Sequence, residues 1–274
     1  MIRRILAALS GTPYTHSVIT HAVAIAQRHG AEITGVTVLD PKKIEDVGPV
    51  PMGAGSFATE LARHRWRLTE ERVEEVVADF ERTCRDAGVG CQVVREQGDP
   101  FDELVSLWRY HDFTVLELRG FFEYGVLSSP DDSLKELVKV GVRPLFAVSQ
   151  EPRKINRALI AYNGSMESAK AMKRFIQAQV WPSVALKIVC FDMKDEAARL
   201  LADAAAYCRA HGFEAEVENL DATPAEGLLA EIESWRADLV VLGATRRRRI
   251  FQQALGDTAL EMIRNCPVPL FLMQ

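Results

Sequence analysis

The segment ILAALSGT, from Ile5 to Thr12, returns later in the chain as ALIAYNGS, from Ala158 to Ser165. In each copy, an apolar run typical of a strand buried on both faces of a parallel sheet leads into a small polar turn. Each copy also closes on a Pro-led apolar run, VRPLFAV at 142–148 and VPLFLM at 268–273. Recurrence of this kind is the mark of repeated units, so the sequence predicts two copies of one domain.

Shorter matches inside the copies support the repeat. CRDAG at 84–88 corresponds to CRAHG at 208–212, and DFTVLE at 112–117 corresponds to DLVVLG at 238–243. A length of 274 residues fits two domains of about 100 to 150 residues each. We therefore predict domains at 1–150 and 157–274, joined by the linker EPRKIN at 151–156.

Apolar strand patterns alternate with helical patterns throughout both copies, in the order β-α-β-α-β-α-β-α-β. This alternation predicts an α/β fold made of two tandem, open-twisted, parallel five-stranded sheets with helices on both faces. The Pro/Gly-rich stretch at 41–58 predicts a long loop, followed by a helix from about 60 to 87. A helix is predicted at about 132–140, and a second loop at 243–256.

Composition argues against several classes of protein. The formal charge of −5 disfavours a general nucleic-acid surface or acidic-membrane surface. No apolar run approaches the roughly 18 residues that a membrane span needs, and the N-terminus lacks a signal-peptide pattern. We therefore expect a cytoplasmic protein that binds neither nucleic acid nor membrane.

Cysteine and histidine spacing predicts neither disulfides nor a metal site. The cysteines are odd in number and include no C-x-x-C pair, so reduced, mostly buried thiols are expected. The six histidines show no spacing typical of metal ligands. The five cysteines are Cys84, Cys91, Cys190, Cys208 and Cys266.

Ligands of open α/β sheets bind beyond the carboxyl ends of the strands, where the strand order reverses. In the second copy this rule selects the turn at 163–165, the end of the second strand near Cys190, and the loop from Gly243 to Gly256. Gly256 directly precedes a predicted helix, whose unpaired N–H groups and dipole favour an anion such as phosphate.

At these residues the chain resembles the universal stress protein family, specifically its tandem two-domain members, whose fold is adenine nucleotide alpha hydrolase-like and Rossmann-like. The family's ATP signature is G-x2-G-x9-G followed by Ser or Thr, with an Asp at the end of the first strand. Gly243 and Gly256 match the first and third glycines, whereas Arg246 replaces the second, Asp257 the hydroxyl residue and Asn163 the Asp.

The resemblance implies a role for each matching position. Asn163 would contact the nucleoside, Cys190 would line the adenine slot, and the remaining residues would surround the phosphates. Thr258 offers a hydroxyl one residue after the expected position. The residues assigned to the phosphates are Gly243, Arg246, Gly256, Asp257 and Thr258.

The first copy departs further from the signature. Glu117, Gly120 and Pro130 stand at the three glycine positions, Asp131 at the hydroxyl position, and Ser10 at the strand-end Asp. Acidic side chains repel a polyphosphate, and proline removes a backbone donor. We expect that this copy binds no ATP and pairs structurally with the second copy, with the closing strands meeting across an internal interface as the resemblance suggests.

Three functions remain in view. The first is a non-enzymatic stress-response protein whose second domain binds ATP, ADP or AMP, with or without Mg²⁺, as a regulatory ligand. The second is a nucleotide-free interaction module that binds a protein partner through 41–58. The third is a slow nucleotide hydrolase or transferase, which would need a positioned base that spacing does not reveal. No catalytic residue is assigned, and further homodimerisation stays open.

Overall fold

The computed structural model describes residues 1–119, 122, 144–191, 196–244, 246–249, 252–255 and 257–273. The elements of the first half are β1 Arg4–Ala8, α1 Thr15–His29, β2 Glu32–Leu39, α2 Pro41–Glu45, α3 Gly55–Asp86, β3 Cys91–Gln97, α4 Pro100–Trp108, β4 Phe113–Glu117 and β5 Leu145–Val148. The helix predicted at about 132–140 lies outside the described residues.

The second half repeats the alternation of strands and helices. Its elements are β6 Arg157–Ala161, α5 Met166–Ala178, β7 Ala185–Phe191, α6 Ala197–Ala210, β8 Ala215–Leu220, α7 Pro224–Ser234, β9 Leu239–Gly243, β10 Arg246–Arg249, β11 Gln252–Leu255, α8 Asp257–Asn265 and β12 Leu270–Met273. Continuous apolar runs such as LVVLG in β9 form the buried central strands, as expected where helices cover both faces of a sheet.

The strands form a ten-stranded sheet in the order β3-β2-β1-β4-β5-β12-β9-β6-β7-β8. Each half contributes five parallel strands in the same relative order, which confirms the predicted fold class. The two parallel sets join through an antiparallel pairing of β5 with β12, in which Phe146 faces Phe271. The closing strands therefore meet, as the family resemblance suggested, and the two five-stranded sheets are continuous.

Aromatic side chains fill the junction between the halves. The ring of Phe271 lies 6.1 Å from Phe113 and 5.3 Å from Phe175, and Phe146 lies 5.0 Å from Trp181. Phe113, Phe146 and Phe271 are fully buried. Each such pair contributes about 0.5–1.5 kcal/mol beyond its buried area, so the junction is part of the hydrophobic core.

The prediction of one long loop at 41–58 is wrong at both ends. Pro41 begins α2, because Asp40 caps that helix by accepting hydrogen bonds from the backbone N–H groups of Lys42 (3.0 Å) and Lys43 (3.3 Å). Proline at the first helical position stabilises a helix start instead of breaking the helix. The following helix, α3, already begins at Gly55.

The predicted linker at 151–156 is anchored to both halves. The backbone N–H of Arg153 donates to Nε2 of His21 in α1 (3.3 Å). The backbone N–H of Asn156 donates to the carboxylate of Asp238, just before β9 (2.9 Å).

None of the helices in the described part of the chain has the length and apolar character needed to span a membrane.

Candidate functional site

A cavity of about 500 Å³ opens beside the carboxyl ends of β6, β7 and β9. In the sheet of the second half, β7 and β8 follow on one side of β6, and β9 and β12 follow on the other side. The strand order therefore reverses between β6 and β9, and the cavity lies at this point. Its volume falls within the roughly 300–1,000 Å³ of small-molecule sites. The lining residues are Ala161, Tyr162, Asn163, Ser165, Ser168, Phe191, Pro224, Leu242, Gly243, Asp257, Thr258 and Ala259.

Three helices begin on this lining. Ser165 is the N-cap of α5, Pro224 is the first residue of α7, and Asp257 is the first residue of α8. The first turns of helices carry unpaired backbone N–H groups and the positive end of the helix dipole. Their convergence gives the cavity an electrostatic preference for an anionic group.

Carboxylate side chains partly offset the positive charge at these helix N-termini. Each of the three helices has an acidic residue in its first turn, namely Glu167, Glu226 and Asp257. Among the described residues that line the cavity, Asp257 supplies a negative charge. The carboxylate of Asp257 would therefore repel a ligand with several phosphates more strongly than a ligand with one phosphate.

The turn after β6 is held by its own side chains. Oδ1 of Asn163 accepts a hydrogen bond from the backbone N–H of Ser165 (3.1 Å), and Gly164 between them has a positive φ of 74°. Oγ of Ser165 then accepts from the N–H of Ser168 and caps α5 (3.2 Å). Because the oxygen of Asn163 is engaged in the turn, the amide NH₂ is the group that a ligand acceptor would meet.

Gly243 is required by packing. A Cβ placed on this residue would lie 2.4 Å from the carbonyl carbon of Glu167 and 2.5 Å from the backbone nitrogen of Ser168. Backbone atoms cannot move aside as a side chain would. The absence of a side chain at Gly243 thus lets the first turn of α5 pack directly against the end of β9.

Cys190 does not line the cavity, and on this point the sequence expectation is corrected. Its side chain is buried and its thiol donates to Oδ1 of Asn219 (3.1 Å), while burial raises the pKa of that thiol. Successive side chains of a strand point to opposite faces, so the next residue, Phe191, lines the cavity instead. The ring of Phe191 lies against Gly227 of α7, where an added Cβ would come within 2.5 Å of it.

The loop predicted at 243–256 contains an antiparallel hairpin. Strands β10 and β11 pair Arg246 with Leu255 and Arg249 with Gln252. Arg246 is therefore a strand residue, close in sequence to the cavity-lining Gly243. Gly256 lies outside the described residues.

The structure thus gathers Asn163, Gly243, Asp257 and Thr258 of the predicted set around one cavity. The cavity is also lined by residues that no motif in the sequence marks, namely Tyr162, Ser168, Phe191 and Pro224. Burial, with a contribution from Asp203, raises the pKa of Tyr162, so its hydroxyl stays protonated near neutral pH. These residues could have been predicted from the sequence because each lies next to a strand end or a helix start.

The corresponding position of the first half is occupied by its own side chains. Glu117 ends β4 where Gly243 ends β9; it is fully buried and accepts a hydrogen bond from the hydroxyl of Thr12. Nε of Arg72 in α3 donates to the carbonyl oxygen of Gly11 (3.1 Å). Gly120, Pro130 and Asp131, the other residues of the expected degenerate motif, lie outside the described residues.

Within the described residues, histidine, cysteine, aspartate and glutamate form no group that could hold a metal ion.

Comparison with known proteins places the chain among stress proteins. The family model described as "Universal stress protein family" matches residues 1–116 and 191–273. A curated relative, the universal stress protein Slr1230 of Synechocystis sp., is 23% identical over 285 residues and covers 98% of each chain. The turn that contains Asn163 falls outside the matched segments.

Solved structures share the whole fold at low sequence identity. A universal stress protein from Archaeoglobus fulgidus superposes with a TM-score of 0.69 at 18% identity and covers 99% of this chain and 98% of its own. A putative universal stress protein from Pseudomonas aeruginosa gives a TM-score of 0.61 at 12% identity, with coverages of 99% and 93%. Both relatives resemble this chain over both halves.

Proposed function

The chain belongs to the universal stress protein family, and from this premise we propose that its second half binds an adenine nucleotide as a regulatory ligand. The observation that carries the proposal is the convergence of three helix N-termini on one cavity at the strand-order reversal. An apolar wall beside a cluster of backbone N–H groups suits a ligand with a flat base and a phosphate.

Different lining residues of the cavity suit different parts of such a ligand. Phe191, Leu242 and Ala161 offer apolar and aromatic surface for the adenine ring. The amide of Asn163 would donate to a ribose or base acceptor. The first turn of α8, with the hydroxyl of Thr258, would receive the phosphate.

Asp257 favours a ligand with few phosphates. A carboxylate at the start of α8 already stabilises that end of the helix, and it repels each additional phosphate charge. We therefore propose that AMP binds without a metal ion, whereas ATP binds well only with Mg²⁺ to neutralise part of its charge.

Calorimetric titration of nucleotide-free protein with AMP, ADP and ATP, with and without Mg²⁺, tests this proposal. Replacing Asp257 with Asn should strengthen metal-free ATP binding about tenfold, equivalent to about 1.4 kcal/mol, and should change AMP binding less. The matched control is Asp102→Asn, which removes an exposed carboxylate from the first turn of α4 in the other half. Absence of binding by all three nucleotides at millimolar concentration would overturn the proposal.

A second candidate function is protein binding through the segment between α2 and the start of α3. Met52 is completely exposed and Phe57 is 69% exposed, both unusual for large apolar side chains. A double substitution, Met52→Ser with Phe57→Ser, should abolish capture of a protein partner while leaving the melting temperature and nucleotide binding unchanged. Unchanged capture by this variant would exclude the segment as the binding surface.

A further inference from the structure

Two thiols meet where the end of α3 packs against the edge strand β3. Cys84 lies in the last turn of α3 and is fully buried, whereas Cys91 is the first residue of β3 and is exposed. The two cysteines stand seven residues apart, on either side of one short turn between helix and strand, and the pKa of the buried Cys84 thiol is raised by burial and then by the neighbouring Cys91. One cysteine of the pair is therefore open to solvent, and the other is buried beside it.

The packing of β3 on α3 accounts for this contact. Arg95 of β3 forms a two-armed ion pair with Glu74 of α3, with Nη2 and Oε2 2.9 Å apart. Cys91 lies four residues before Arg95, about 13 Å along the strand and on the same face. Cys84 lies ten residues beyond Glu74, about 15 Å along the helix. The ion pair and the thiol pair are thus two contacts of one helix–strand interface.

The connecting turn brings the chain directly back from helix to strand. The N–H of Val89 donates to the carbonyl of Cys84 (2.9 Å), and Gly88 adopts the left-handed conformation with a φ of 66°. Glycine accommodates that conformation without steric cost, which lets α3 stop and the strand begin within a few residues. The local backbone structure, as well as the packing, therefore holds Cys84 and Cys91 close to each other.

We propose that Cys84 and Cys91 are an oxidation site, at which a peroxide converts the two thiols into a reversible intrachain disulfide. The thiolate of Cys91 attacks one oxygen of hydrogen peroxide, so that an S–O bond forms, the O–O bond breaks and hydroxide leaves. The sulfur of Cys84 then attacks the sulfenic sulfur, the S–S bond forms, and the hydroxyl leaves as water with the thiol proton. Two thiols are oxidised, and one peroxide is reduced to two molecules of water.

Burial separates the roles of the cysteines. The thiolate is the reactive form, and exposure gives Cys91 access to the oxidant. Burial, followed by the neighbouring Cys91, raises the pKa of Cys84 to about 12, which suits a partner that reacts after the first oxidation. Burial also raises the pKa of Cys208 and of Cys266 to about 11, so these two buried thiols serve as internal controls.

The test is peroxide treatment of the folded, full-length protein, followed by alkylation of the remaining thiols, digestion and mass spectrometry. The peptide linking Cys84 to Cys91 should lose two hydrogen atoms, resist alkylation and regain both thiols in dithiothreitol. Cys208 and Cys266 should remain thiols. In Cys84→Ser, Cys91 should instead accumulate as a sulfenic acid that dimedone traps.

The wild-type protein alone decides the outcome, so the test does not depend on folding of the variant. If Cys91 is over-oxidised or links two chains while Cys84 remains an alkylatable thiol, the proposed disulfide is excluded. Cys91 remaining reduced under conditions that oxidise free glutathione would exclude it equally.

Discussion

The two halves share one fold but treat the end of the fourth strand of each unit differently. In the first half, Glu117 is buried there and accepts a hydrogen bond from Thr12, so the position is filled by the chain itself. In the second half, Gly243 allows α5 to pack on the strand end, and a cavity of about 500 Å³ remains beside it. The repeat thus preserves buried strands, while the residue at the end of this strand differs: a buried glutamate in the first half and a glycine in the second.

The largest expected change in the free energy of unfolding comes from adding a side chain at Gly243, at the end of β9. Gly243→Ala would place a Cβ against the backbone of Glu167 and Ser168, so the free energy of unfolding should fall by about 4 kcal/mol in urea denaturation. Gly55→Ala is the matched control, because a Cβ there meets open space. A loss below about 1 kcal/mol for Gly243→Ala would show that α5 moves aside easily.

A second prediction concerns the anchoring of the linker to the first half. Burial lowers the pKa of His21 to about 4, and its Nε2 accepts from the N–H of Arg153 only while the ring is neutral. The folded pKa lies below the unfolded value of about 6.5, so this stabilisation is present above pH 6.5 and is lost as the pH falls towards 4. The loss should approach about 3 kcal/mol, since each unit corresponds to about 1.36 kcal/mol.

The measurement is the free energy of unfolding of wild type and His21→Gln between pH 7 and pH 4. Glutamine can accept the same hydrogen bond without titrating, so the difference between the two proteins isolates the histidine. His16→Gln, at an exposed position of the same helix, should follow wild type. Parallel pH curves for wild type and His21→Gln would contradict the assignment.

A third prediction tests the filled strand end. Thr12→Val removes the hydroxyl that donates to the buried Glu117, and a buried carboxylate that loses a donor should destabilise the protein by about 2 kcal/mol. Thermal or urea unfolding measures this change. If Thr12→Val is neutral, the hydrogen bond does not hold the first-half position closed.

The smallest effect is expected at the corresponding turn of the second half. Ser165→Ala removes the N-cap of α5, which should lower the free energy of unfolding by about 1 kcal/mol. Ser165→Asp should retain capping and lose less. Equal losses for Ser165→Ala and Ser165→Asp would indicate that the hydroxyl acts through something other than the cap.

Repetition made the alternation of strands and helices and the parallel sheets predictable from sequence, whereas the junction of the closing strands followed from the family resemblance. Buried parallel strands read as continuous apolar runs, and both copies carried these runs in the same order. The segment 41–58 differs from the predicted loop because Pro41 follows a helix cap, Asp40, and therefore starts a helix. Proline and glycine signals depend on their neighbours, which a composition-based reading ignores.

The site was predictable at the strand ends and less so between them. Asn163, Gly243, Asp257 and Thr258 lie where turns and helix starts make position predictable. Cys190 was misplaced because strand alternation and the packing of Gly227 aim the neighbouring Phe191 at the cavity. Whether Cys190 or Phe191 faces the cavity depends on which face of the sheet each helix covers, and a single sequence does not specify this for β7.

Amide hydrogen exchange with and without saturating AMP compares the two halves most directly. Slower exchange is expected at 161–168 and 257–260, around the cavity, with exchange at 8–15 and 113–118 unchanged. Ligand at about 100 times its dissociation constant would stabilise the bound state by about 2.7 kcal/mol, enough to slow these amides clearly. Equal protection in both halves, or no protection in either, would contradict a nucleotide site confined to the second half.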